Sequence, residues 1–101
     1  MQYIKLTNDK WAVIDGESTE VVSVSETQQK LEQTQANLAA SAELLEAEQA
    51  KVVPTDGLTG KQLEAVGAFN NSLLVYSHTQ EVERYTAEIT QLQDLLENTN
   101  G

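Results

Sequence analysis

Apolar residues return at every seventh position from Val24 to Val52, namely Val24, Leu31, Leu38, Leu45 and Val52. A helix that keeps one seam against a partner helix imposes such a repeat, whereas a globular interior does not. Three residues after the first four anchors stand Thr27, Thr34, Ser41 and Glu48. Four residues after them stand Gln28, Gln35, Ala42 and Gln49. The seam is therefore half apolar and half polar or small. Polar groups at seam positions weaken a helix pair but set its register and strand number. The competing expectation is that they simply face water.

The pattern before Val24 is different. Residues 2–7 alternate around Tyr3, Ile4 and Leu6, and residues 10–15 carry Trp11, Val13 and Ile14. Asn8-Asp9 between them tolerates positive φ and predicts a tight hairpin. Asp15-Gly16 predicts a second turn, and Glu20 to Val24 a third short strand. A small meander is marginal in water without a cover. Trp11 brings the largest apolar area to that contact.

The first helix starts at Ser23 or Ser25, since Ser23 with Glu26 and Ser25 with Gln28 both satisfy a capping box. It ends before Pro54, which pushes its predecessor out of the α region. Asp56-Gly57 supplies a turn. Thr59 with Gln62 predicts a capping box that opens a second helix near Gly60 or Lys61. That helix runs to about Glu97 in two registers. Leu63, Val66, Phe69 or Asn70, Leu73 and Tyr76 form the first; Val82, Tyr85, Ile89, Leu92 and Leu96 form the second. The polar stretch Ser77 to Glu81 is expected to carry the break, as a change of packing partner.

The fold class is thus α+β. A three-stranded antiparallel meander over 1–24 precedes a helical hairpin or coiled coil over 25–101. Its helices cover about 25–52 and 60–97, and the whole is expected to form one structural unit. An antiparallel hairpin would bring Leu38 near Leu74. The second helix is longer by about ten residues, or about 15 Å of rise. Its end should therefore reach the sheet and set Ile89 and Leu92 against Trp11. The residues expected to carry packing or interaction are Trp11, Val24, Leu31, Leu38, Leu45, Phe69, Leu73, Tyr76, Val82, Tyr85, Ile89, Leu92 and Leu96.

Composition narrows the function more than the fold. The net charge is −10, from 16 acids and 6 bases. A diffuse negative field opposes binding to nucleic acid or an anionic membrane and favours solubility or a basic partner. Gln, Thr, Asn and Ser make up 32 of 101 residues, which points to a surface that interacts by hydrogen bonds more than by charge. There is no cysteine, so no disulfide or thiolate chemistry. The N-terminal residues have neither a long apolar core nor a basic leader, so no signal peptide is expected. No apolar run approaches the roughly 18 residues of a membrane span.

Chemistry is sparse. His78 is the single histidine, and with Glu81 it makes no metal motif. Glu43, Glu46 and Glu48 are expected to be a solvated face. Gly57 and Gly60 lack the spacing of a phosphate loop. No nucleophile, imidazole and acid stand in a hydrolase pattern. Asn70-Asn71-Ser72 matches a glycosylation pattern by chance. No catalytic, metal or cofactor residue is expected.

The hairpin from Tyr3 to Ile14 and the heptad from Val24 to Val52 together resemble the small accessory proteins of tailed bacteriophages: head fibres, capsid decoration proteins and coiled-coil assembly factors. The resemblance covers about half the chain and is one of style, with no diagnostic motif. It implies a structural, oligomeric, non-enzymatic role, with synthesis in the cytoplasm and association with the virion. It carries over no functional residues. Two functions compete. One is an assembly protein that pairs with itself or a larger protein assembly. The other is an acidic inhibitor, or nucleic-acid mimic, that occupies a basic site. A mimic calls for carboxylates in rows at phosphate-like spacing, and here they are scattered.

Overall fold

The computed structural model describes residues 1–100. Three strands, β1 (Gln2–Lys5), β2 (Lys10–Asp15) and β3 (Ser18–Ser23), precede three helices, α1 (Val24–Gln49), α2 (Gly60–Ser72) and α3 (Val75–Asn98). The architecture is α+β, an antiparallel meander followed by a long helix and a bent helical hairpin. The described chain divides into two compact units. One joins Met1–Asn37 to the segment from Tyr85 onward, and the other is Leu38–Arg84.

In the first unit the strands lie in the order β1-β2-β3, all antiparallel. The register sets Tyr3 beside Val13 and Val13 beside Glu20, and sets Trp11 beside Val22. Because strand side chains alternate, Tyr3, Trp11, Val13 and Val22 share one face. Ile4, Ala12 and Val21 lie on the other. The β2–β3 turn uses Gly16 at φ 61, a left-handed conformation that glycine adopts at little cost.

The β1–β2 turn differs from the expectation. No described non-glycine residue has positive φ, so Asn8-Asp9 is not a mirror-image turn. Instead the Leu6 and Thr7 amides donate to the Lys10 carbonyl at 2.9 and 3.1 Å. The Thr7 hydroxyl accepts from the amides of Asp9 and Lys10 at 3.2 and 3.0 Å. The four-residue loop frees Asp9 to serve α1. Its carbonyl accepts the Val24 amide at 2.7 Å, and its carboxylate accepts the Ser25 amide at 2.8 Å. The Ser23 hydroxyl accepts the Glu26 amide at 3.3 Å, so the N-cap is Ser23 and not Ser25. Leu31 of α1 and Leu92 of α3 are buried here, as is Ala12, and they are the buried apolar residues among those described.

In the second unit α1 ends at Gln49 and not near Val52. Lys51 and Val52 donate to the carbonyls of Glu48 and Gln49, a tightened last turn. Thr59 is the N-cap of α2, but its side chain makes no capping bond. The second helix is not one rod over 60–97. It breaks at Leu73–Leu74, where Leu73 is extended at φ −74 and ψ 153. The interruption falls before Ser77 to Glu81, which are helical.

Polar side chains bonded to backbone mark that position. Asn70 clamps Val53, accepting its amide and donating to its carbonyl, both at 2.9 Å. The Ser72 hydroxyl donates to the Phe69 carbonyl at 2.6 Å. The Ser72 bond competes with the helical ladder, while Asn70 ties the last turn of α2 to the preceding loop, and α2 ends there without glycine or proline. The break also moves the antiparallel pairing. The Leu74 amide meets the Glu48 carboxylate at 3.0 Å, ten residues beyond the Leu38 partner expected from a simple fold-back.

Candidate interaction surface

The polar column of α1 is buried and does not face water. Thr27 and Thr34 in the first unit and Ser41 in the second are 8%, 4% and 6% exposed, less than most leucines beside them. The positions four residues after the anchors, Gln28, Gln35, Ala42 and Gln49, are exposed. Each buried hydroxyl is satisfied. Thr27 and Thr34 donate to the carbonyls of Ser23 and Lys30, four residues back, at 2.7 and 2.8 Å. Thr79 of α3 and Thr99, just past its end, do the same to Val75 and Leu95. These hydroxyls return to their own helix, so they add little attraction between helices.

Helix α3 carries one continuous seam. Val75, His78, Val82, Tyr85, Ile89, Leu92, Leu96 and Thr99 alternate by three and four, and each is buried or half-buried. No register shift occurs at His78, which with Thr99 supplies the polar members of that seam. Its signal lay in the same spacing, masked by the assumption that a seam position must be apolar.

Three carboxylates stitch these elements. The Ser23 hydroxyl, then the Ser25 amide, hold the Asp9 carboxyl below its ordinary 3.8. Lys51, then the Leu74 amide, hold Glu48 below its ordinary 4.5. His78, then the Ser41 hydroxyl, do the same for Glu81. Glu48 thus caps the start of α3 and is no bystander of a solvated face. Glu81 accepts from Ser41 at 3.0 Å and meets His78 Nδ1 at 3.2 Å. A carboxylate only accepts, so Nδ1 bears the proton. The acid stands between serine and imidazole. Nucleophile activation needs the imidazole in the middle, so this trio is not a hydrolase triad. Among the described residues no cluster of three or more metal-ligating side chains occurs, and no helix is long and apolar enough to cross a membrane.

The second unit buries little. Its only buried residue is Ser41, and α2 buries nothing. Seven of its large apolar side chains are exposed: Leu44, Val52, Val53, Leu63, Phe69, Leu74 and Tyr76. Of the residues singled out from the sequence, Leu31 and Leu92 are buried. Trp11, Val24, Leu38, Leu45, Leu73, Val82, Tyr85, Ile89 and Leu96 are half-buried, and Phe69 and Tyr76 are exposed at 46% and 76%. Asp9 and Asn70 escaped sequence reasoning as structural ties, and the hydroxyl column was left open between seam and solvent. The column alone had a signal, its seven-residue spacing.

Comparison of the chain with family models, with curated proteins and with solved structures returns no match.

Proposed function

We propose that this chain is a non-enzymatic structural or assembly protein that works through helix packing and oligomerisation. Its partner is a second copy of itself or a larger protein assembly, and the phage resemblance makes a virion the natural setting. One observation carries the reading: the second unit holds seven exposed large apolar side chains and no buried apolar one. A helix such as α2 gains little stability alone and draws it from burial of an apolar face. Burial of such side chains against a partner would supply the core that this unit lacks. Helix α2 has one base, Lys61, and one acid, Glu64, so the chain's negative charge does not oppose pairing there. The net charge of −10 disfavours nucleic acid and anionic lipid as partners.

Light scattering tests the proposal. The native chain at tens of micromolar should have the mass of an oligomer. Leu63→Glu combined with Phe69→Glu should have the mass of one chain, with unchanged helix content. A native mass of one chain, or an oligomer indifferent to both substitutions, overturns pairing through α2.

A further inference from the structure

We infer that the groove between the sheet and the C-terminal half of α3 receives a basic segment of a partner protein, one that seats an apolar side chain between lysines or arginines. The groove lies wholly in the first unit, and the inference stands apart from self-association through α2. Its cavity is about 440 Å³, within the usual size of a binding cleft. Tyr3, Val13 and Val22 present one sheet face to it, and Leu95 of α3 closes the other side. Those four side chains make an apolar floor.

The rim has the opposite character. Glu20 stands on the sheet side, held beside Val13 by the strand register, and Asp94 stands on α3. Both are exposed, and neither forms an ion pair with a described residue. Met1, which bears the α-amino group, and Gln91 complete the lining; no lysine, arginine or histidine lies in it, and Lys30 pairs with Glu88 at 3.6 Å. From Tyr85 to Asn100 the chain carries Glu88, Asp94 and Glu97 and no lysine or arginine. Two carboxylates without a cationic partner, Asp94 accepting only from the Asn98 side-chain amide at 3.4 Å, flank an apolar floor and complement one apolar anchor between two cations. Charge complementarity of this kind selects the partner and speeds its approach.

The probe is a blocked pentapeptide, acetyl-Ala-Lys-Leu-Lys-Ala-amide, titrated into the isotopically labelled full chain and followed by amide shifts. Shifts should concentrate at Tyr3, Val13, Val22 and Leu95. Affinity should fall at least tenfold when glutamine replaces both peptide lysines, and at least tenfold in Glu20→Gln combined with Asp94→Asn. Those two side chains are exposed, so the variant keeps the fold, which its unperturbed spectrum verifies. Equal affinity for the glutamine peptide overturns the inference. So do shifts spread over every acidic surface, which report charge alone. Groove signals that move with protein concentration, without peptide, show that a second copy is the occupant and also overturn it. The Leu63→Glu and Phe69→Glu variant should bind the peptide unchanged, so failure of one proposal is distinguishable from failure of the other.

Discussion

Replacing Thr27 and Thr34 together by valine should stabilise the protein, although it deletes two buried hydrogen bonds. Each hydroxyl donates to a carbonyl of its own helix, Ser23 and Lys30 respectively. Those carbonyls also take the helical amide four residues on, so valine leaves no acceptor orphaned. Losing such a bond costs about 0.5 kcal/mol, the low end of the usual net range. Burying a methyl in place of each hydroxyl contributes about 0.8 kcal/mol. The balance is about 0.3 kcal/mol per site. The two sites are far enough apart to add, so the double variant gains about 0.6 kcal/mol. For a chain of this size that raises the melting temperature by about 2–5 °C. Leu31→Ala, between the two sites, gives the contrasting scale: a loss of about 2–3 kcal/mol for a buried leucine. Thermal and urea unfolding followed by circular dichroism measure both. A double variant less stable by more than 1 kcal/mol would refute the reasoning, because it would mean that the hydroxyls bridge between helices.

Acid should loosen the protein through Asp9, Glu48 and Glu81. Their folded values lie below the ordinary 3.8 and 4.5, so their stabilisation is full above about pH 5 and is lost as pH falls through the lowered values. Urea midpoints between pH 6 and pH 3 should fall in that window, less steeply in Asp9→Asn; an identical slope in the variant would remove Asp9 from the account. Trp11 is half-buried on the sheet face that lines the α3 groove, so Trp11→Ala should cost about 2–3 kcal/mol, below the range for a fully buried aromatic. Hydrogen exchange should show protection lost in the strands and the Tyr85 to Asn98 segment and retained across Leu38–Arg84, and equal loss in both would sink the assignment.

Local rules acting over a few residues determined the elements. Alternation around Trp11 and Val13, the turn at Asp15-Gly16, a serine N-cap at Ser23 or Ser25 and the heptad from Val24 were legible because each depends on neighbours in the chain. So was the meander followed by helices. Three features needed the tertiary structure. The heptad column of Thr27, Thr34 and Ser41 could face water or a partner helix, since periodicity marks a stripe on a helix but not what lies opposite. The second helix breaks at Leu73, beside Asn70, whose side chain holds the backbone of Val53, a residue 17 positions away in sequence. Asp9 caps α1 from another element across 16 positions, and Glu48 caps α3 across 26. Hydrogen bonds of such sequence separation exist only once the elements are assembled. Each of these side chains, judged by its neighbours alone, belongs to an ordinary solvated turn or helix face.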